Sequence, residues 1–234
     1  SLPSQQSTGS IPGSISALDR LAYLDLSYNK LNGSIPSTIG KLSSLTFLNL
    51  NNNALNGSIP STITNLSNLI ELRLSDNALS GSIPSTISKM SSLTVLHISD
   101  NDLTGSIPST IGKMSSLSIL VLLNNSLSGS IPSTINDMSS LFALILYGNS
   151  LSGSIPSTIG NMSNLFDFNV SSNNLTGQLP PTMGNLSYLE SLDISSTAIT
   201  CPPDYSSCVV PQTNSSAFCT QCPSFCTTCD KPSA

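Results

Sequence analysis

The chain has 234 residues, of which only 8% are charged, and its formal net charge is −5. Its seven basic residues are scattered along the sequence, which argues against a nucleic-acid partner because such surfaces concentrate basic side chains. No apolar run approaches the roughly 18–20 residues of a membrane span, and the first residues show neither the charged nor the apolar region of a signal peptide.

A 24-residue pattern repeats in register from the start of the chain to about residue 200. Self-similarity at such a period predicts a stacked solenoid, in which each coil buries its apolar edge against its neighbours. We therefore expect one solenoid over residues 1–200, with a partial first coil, seven complete repeats over 18–185 and a partial last coil. Three positions define the register: Leu21, Leu45, Leu69, Leu93, Leu117, Leu141, Leu165 and Leu189; Asn29, Asn53, Asn77, Asn101, Asn125, Asn149 and Asn173; Pro12, Pro36, Pro60, Pro84, Pro108, Pro132, Pro156 and Pro180.

Residues 42–65 illustrate one repeat, LSSLTFLNLNNNALNGSIPSTITN. Leu48 and Leu50 alternate with polar residues and predict a short strand with both leucines inward. The recurring Asn53 follows the strand, where its amide can bond the backbone of its own turn and of the adjacent coil. Gly57 permits a tight turn or a positive φ angle.

The repeated pattern LxxLxLxxNxLxGxIPxx resembles the leucine-rich repeat, and its GxIP element resembles the plant-type subclass. The resemblance covers about 85% of the chain. It implies an α/β-type repeat solenoid: a curved, right-handed superhelix with a parallel β-sheet on the concave face and few or short helices. It also implies a non-enzymatic protein that recognises proteins, peptides or glycans outside the cell.

Residues that alternate with the inward leucines are expected to face the concave surface. On adjacent coils they include a contiguous apolar group with polar positions on both sides, which is typical of a binding surface. The alternatives are that another part of the molecule or a glycan covers this patch, or that it carries no function. The predicted ligand-binding residues are Val95, His97, Ile119, Val121, Leu123, Ile145 and Tyr147.

The segment Gly-Ser-Ile-Pro-Ser-Thr-Ile occurs six times between residues 33 and 159. Its threonines should form one ladder along the solenoid and its serines another. Such a hydroxyl array could pack against another solenoid, carry O-linked glycans or match the ice lattice, or it could record a recent duplication. Ice binding by this Ser/Thr face is the alternative function that the sequence suggests. The predicted threonine ladder is Thr38, Thr62, Thr86, Thr110, Thr134, Thr158 and Thr182.

All six cysteines follow residue 200, and 201–234 is expected to form a disulfide-bonded C-terminal cap in an oxidising compartment. Zinc is the alternative, because two CxxC pairs occur, but only three residues separate them. Fifteen disulfide pairings remain open. The cysteines are Cys201, Cys208, Cys219, Cys222, Cys226 and Cys229.

Nine N-x-S/T sequons favour a secreted glycoprotein. Asn65, Asn161 and Asn185 share one repeat position at a coil edge and are the most accessible candidates. The complete set is Asn32, Asn56, Asn65, Asn124, Asn161, Asn169, Asn174, Asn185 and Asn214.

Catalysis has little support from the sequence, because His97 is the only histidine and a single surface histidine is usually part of a polar face. Asp76, Asp100 and Asp102 lie on adjacent coils and could share a calcium ion, although solvated carboxylates are the simpler reading. We therefore expect neither a metal nor a cofactor, and no enzymatic activity.

The first coil starts in the middle of a repeat, so Leu2, Ile11 and Ile15 are expected to leave an open edge. Open edges promote association, and a head-to-tail contact that does not close gives a filament. The sequence thus predicts an extracellular interaction or structural protein, secreted or at the cell surface. Its expected partners are a protein or glycan ligand, or copies of itself.

Overall fold

The structure is a computed structural model that describes residues 6–200. Leu2, the six cysteines and Asn214 lie outside the described residues, so the predicted C-terminal cap is not among the features below. Within the described part, each repeat forms one coil with a strand on the concave side, a second strand after the turn, and a short 3-10 helix on the far side.

The concave face is one parallel sheet of eight strands, stacked in the order of the sequence. Leu120 pairs with Leu96 on one side and with Leu144 on the other, so the register advances by one repeat from each strand to the next. This confirms the predicted fold class and concave sheet. The strands are Tyr23–Asp25, Phe47–Asn49, Glu71–Arg73, Val95–His97, Ile119–Val121, Ala143–Ile145, Asp167–Asn169 and Ser191–Asp193.

A second row of parallel strands runs along the outer side of the turn, in a five-stranded and a four-stranded sheet joined by the bridge between Ser106 and Ser128. The sequence did not predict these strands, because they are short and lack the alternating apolar pattern of the concave strands. Gly57, in the strand Ala54–Ser58, has the expected positive φ, at +72°. The strands are Thr8–Ser10, Lys30–Ser34, Ala54–Ser58, Ala78–Gly81, Asp102–Leu103, Ser128–Gly129, Ser150–Gly153, Asn174–Gln178 and Ala198–Thr200.

All helices of the described residues are short 3-10 turns, which agrees with the prediction of few or short helices. Most follow the proline of the IP pair directly; Pro108, for example, has φ −66° and precedes the turn whose Ile111 N–H bonds its carbonyl. Proline suits this place because its φ is fixed and no donor is lost. The helices are Gly13–Ala17, Ser37–Lys41, Ser61–Asn65, Ile87–Lys89, Ser109–Lys113, Ser133–Asp137, Ser157–Asn161 and Pro181–Asn185.

The core is a continuous column of leucine, isoleucine and methionine between the two strand rows and the helices. Leu48 and Leu50 are both fully buried, as predicted. Met90 and Met138 are fully buried at the position that Leu66 occupies, which is consistent with a swap of similar volume. The solenoid is therefore stabilised mainly by burial of these aliphatic side chains.

The recurring asparagine joins each coil to the one before it. The Asn53 Nδ2 atom donates to the carbonyl of Leu50 in its own coil, at 3.1 Å, and to that of Leu26 in the preceding coil, at 3.0 Å. Its Oδ1 accepts from the Leu31 N–H at 3.0 Å. The predicted contacts with the turn and the adjacent coil are thus confirmed, and Thr197 takes this position in the last coil.

The 3-10 helices of adjacent coils lie close together at a recurring glycine. A Cβ atom on Gly112 would lie 2.2 Å from the Thr134 carbonyl oxygen of the next coil. Thr64 occupies the same repeat position and places its Oγ1 3.0 Å from that of Thr86. The helix that follows Thr64, Ile87–Lys89, is shorter than the others of the described residues.

Candidate binding face

The structure brings the predicted apolar residues together on the concave face. Val121 pairs with His97 and Ile145, and Ile119 pairs with Val95 and Ala143. The predicted apolar residues are half-buried, whereas the inward leucines between them are fully buried. A continuous apolar surface therefore faces solvent over three adjacent strands; we call it the central patch, comprising Val95, Ile119, Val121, Leu123, Ile145 and Tyr147.

The second residue after each concave strand is expected to face the concave surface, but its exposure differs from coil to coil. Ser75 and Ser99 at this position are only 1% and 3% exposed, and the Ser99 N–H donates to the Ser75 Oγ at 3.0 Å. Serine is small enough to pack beneath the turn. Leu123 and Tyr147 occupy the same position on adjacent coils and remain half-buried, so they extend the central patch.

A polar group borders the central patch on its N-terminal side. Arg73 Nε forms an ion pair with Glu71 Oε2 at 3.0 Å, and His97 Nε2 lies 3.0 Å from Ser99 Oγ. Burial, and next the Arg73 charge, lower the pKa of His97 below 6.5, while Asp76 and Asp100 act in the opposite direction. His97 is therefore mainly neutral at pH 7.

The alternative of a shared calcium ion at Asp76, Asp100 and Asp102 is not supported by their positions. Asp76 and Asp100 accept hydrogen bonds from the side-chain amides of Asn52 and Asn124, at 3.3 Å and 2.8 Å. Asp102 lies in a strand of the outer row instead. Within residues 6–200, no three His, Cys, Asp or Glu side chains lie close enough together to hold a metal ion.

The C-terminal side of the central patch is also polar. Asn169 Oδ1 accepts bonds from the Ser171 N–H and hydroxyl. Asp167 lies in register with Ala143 on the preceding strand, is half-buried, and forms no hydrogen bond or ion pair with the described residues. Ala143 lies in register between Ile119 and Asp167, and because its side chain is shorter than both of theirs, we call this position the notch.

Two aromatic stacks were missed by the sequence analysis. Tyr23 and Phe47 stack at a centroid distance of 4.3 Å, and Phe142 and Phe166 stack at 4.7 Å. Each pair occupies one repeat position on adjacent coils, and this coincidence is the signal that could have revealed them. Tyr23 and Phe142 are 49% and 45% exposed, so both stacks add apolar surface at the margins of the concave face.

The threonine ladder is largely occupied by bonds within the molecule. Thr62 Oγ1 donates to the Ser37 carbonyl at 2.6 Å, and Thr134 Oγ1 donates to the Ser109 carbonyl at 2.7 Å. The equivalent serine side chains are exposed. The serines, rather than the threonines, are therefore the hydroxyl row of this face that is open to solvent: Ser37, Ser61, Ser85, Ser109, Ser133 and Ser157.

The predicted glycosylation sites differ in accessibility. Three of them are the last residues of 3-10 helices and are exposed, as predicted: Asn65, Asn161 and Asn185. Asn169 is half-buried with its amide oxygen engaged by Ser171, which makes it the least suitable acceptor. The other described sequons are exposed: Asn32, Asn56, Asn124 and Asn174.

Comparisons with known proteins agree with this architecture. A family model described as a leucine-rich repeat region matches residues 4–120, and two leucine-rich repeat models match 91–151 and 164–186. No curated protein sequence matches the chain. Among the described residues, none of the helices is long and apolar enough to cross a membrane.

Solved structures with similar folds include two plant receptors. The peptide hormone receptor RGFR1, solved in complex with RGF2, is 40% identical with a TM-score of 0.82, over 82% of this chain and 31% of the receptor chain. The Arabidopsis receptor kinase HAESA ectodomain, solved with an IDA peptide hormone, is 38% identical with a TM-score of 0.80, over 82% of this chain and 32% of that one. The chain thus spans about a third of the length of these receptors.

A third similar structure is a plant ice-binding protein. It is 27% identical with a TM-score of 0.64, and the match covers 83% of this chain and 71% of that one.

Proposed function

Since the chain belongs to the leucine-rich repeat family and has the repeat of its plant-type subclass, we propose that it is a non-enzymatic extracellular protein that binds a protein or peptide on its concave face. The observation that carries this proposal is the central patch, an apolar surface with polar groups on both sides. Binding surfaces commonly combine an apolar centre with a polar rim. The RGFR1 and HAESA structures, each solved with a peptide hormone, support a ligand of this kind.

The proposal includes secretion or display at the cell surface. Exposed sequons such as Asn65 and Asn161 support it, as does the confinement of the cysteines to residues 201–234. In that setting we infer N-linked glycans at the coil edge and disulfides in the terminal segment. Glycan ligands and head-to-tail self-assembly stay predictions of the sequence pattern.

A second candidate function is ice binding. The exposed serine row, which repeats once per coil, favours it, and coils in a parallel stack lie about 4.8 Å apart. The similarity to a plant ice-binding protein adds support. This activity would use the face opposite the central patch, so the two candidates can be separated by mutation.

The test uses two double variants that each add two carboxylates on adjacent coils. Val121→Asp with Ile145→Asp changes the central patch, and Ser109→Asp with Ser133→Asp changes the serine row as a matched control. Both pairs are at least partly exposed, so we expect melting temperatures near that of the parent. The probe is a phage library of random dodecapeptides, selected on the parent protein.

We expect the selected peptides to bind the central-patch variant at least about tenfold more weakly. The two aspartates would place charges where apolar side chains of the patch would be covered by the bound peptide. Binding to the serine-row variant should stay unchanged. Failure to select any peptide, or equal binding to the central-patch variant, would contradict the proposed function. Ice binding would instead appear as thermal hysteresis of the parent that only the serine-row variant loses.

A further inference from the structure

The charges of this chain are unevenly distributed around the solenoid. Of the ten acidic residues within residues 6–200, six lie on the concave strands or the turns that follow them, but only one of the six basic residues of that range, Arg73, does so. Three of the lysines, Lys41, Lys89 and Lys113, instead end 3-10 helices on the far side. The acidic residues of the concave side are Asp25, Glu71, Asp76, Asp100, Asp167 and Asp193.

The two cationic candidates on this face do not offset the acidic charge around the central patch. Arg73 is paired with Glu71 at 3.0 Å. Burial lowers the pKa of His97, so its imidazole is mainly neutral at pH 7. The patch consequently lies between negative charges, with Asp76 and Asp100 on the N-terminal side and Asp167 with Asp193 on the C-terminal side.

Asp167 differs from the other aspartates of this face in having no partner within residues 6–200. Asp100 accepts an amide bond from Asn124 at 2.8 Å, and Asp193 accepts the Ser195 N–H at 2.9 Å. Asp167 forms no such bond with the described residues, although it is half-buried. Ala143 lies beside it in register, and leaves a notch with an apolar wall and a carboxylate at one end.

A lysine or arginine side chain would suit this notch chemically. Such side chains bury their aliphatic stems along apolar surface and keep the charged group in a polar environment. A stem over Ala143 and Ile119 would bring its cationic group to Asp167. A neutral or acidic side chain would leave that half-buried carboxylate without a partner.

We propose, on the premise that the concave face binds a peptide, that the ligand is an extended cationic segment with an apolar centre. Its apolar side chains pack on Val121 and Ile145, and basic residues lie on both sides, one of them in the notch at Asp167. Asp100 and Asp167 are three coils apart, roughly 14 Å along the solenoid at about 4.8 Å per coil. An extended chain rises about 3.4 Å per residue, so at least about four residues separate the two basic positions.

The first test reads the sequences that the dodecapeptide library yields on the parent protein. We expect enrichment of lysine or arginine on both sides of one or more apolar residues, and binding that weakens as salt is raised. Enriched peptides that require Val121 and Ile145 but are neutral or acidic would overturn this inference and leave the proposed function intact. Peptides that bind without these two residues would overturn both.

The second test measures one enriched peptide against single variants. Asp167→Asn should weaken binding by roughly fivefold or more, since it removes the charge of a half-buried ion pair. Ala143→Leu should also weaken it by filling the notch. The matched control is Asp102→Asn, which removes an exposed carboxylate of the outer strands and should leave the affinity unchanged. Equal affinity for Asp167→Asn and the parent would refute the assignment.

Discussion

Replacing Asn101 with alanine tests how the coils are held together. Asn101 is only 8% exposed. Its Nδ2 donates to the Ser99 carbonyl at 2.8 Å and to the Leu74 carbonyl of the preceding coil at 3.1 Å. Its Oδ1 accepts from the Leu79 N–H at 2.9 Å. The substitution removes all three bonds and leaves space that the turn cannot readily fill.

The expected loss follows from which groups keep another partner. The Leu74 carbonyl still accepts from Asn77 Nδ2 at 3.2 Å, and the Ser99 carbonyl still accepts from the Asp76 N–H at 3.1 Å. The buried Leu79 N–H loses its amide acceptor, which costs about 1–3 kcal/mol. With the weakened carbonyl bonds, we expect unfolding free energy to fall by about 2–4 kcal/mol, or the melting temperature by on the order of 5–15 °C.

The assay is thermal and urea unfolding followed by circular dichroism. Asn68→Ala is the matched control, because Asn68 is exposed and donates one bond, to the Ser43 carbonyl at 2.9 Å; its cost should stay within about 0.5 kcal/mol. Asn101→Thr should recover little of the loss, since the Thr197 side chain at this position bonds, among the described residues, only Ile194 and Ile199 of its own coil. If Asn101→Ala costs no more than the control, the asparagine does not join the coils energetically.

Two further predictions concern close packing and pH. Gly112→Ala should cost about 1–3 kcal/mol of unfolding free energy, because its Cβ would lie 2.2 Å from the Thr134 carbonyl oxygen. Gly13→Ala, whose added Cβ has its nearest neighbour at 3.7 Å, should cost less than about 1 kcal/mol. Equal melting temperatures for the two variants would disprove the close approach. The folded-state pKa of His97 is lowered from 6.5, so the unfolded chain binds more protons and stability should fall as pH drops below about 6.5. His97→Gln should reduce the dependence of the melting temperature on pH. Arg73→Gln should raise the pKa of His97, as followed by an NMR titration. An imidazole that titrates above 6.5 in the parent protein would contradict the reasoning.

Much of the fold was predictable from the sequence because the repeat restricts it so strongly. A leucine, an asparagine, a glycine and a proline at constant spacing must occupy the same place in every coil. Burial of Leu48, the bonds of Asn53 and the positive φ of Gly57 therefore follow from the pattern of one repeat. The central patch was predictable for the same reason, since register places Val121 beside Ile145.

Other features depend on how closely neighbouring coils approach, which one repeat does not specify. The tertiary structure shows the outer strands, the burial of Ser75 and Ser99, and the bonds that engage the threonine ladder. It also shows that Asp167, which the register already places beside Ala143, has no partner among the described residues. Hydrogen bonds and pKa values depend on distances of a few tenths of an ångström between coils, and those distances are decided by the packed side chains of both coils together.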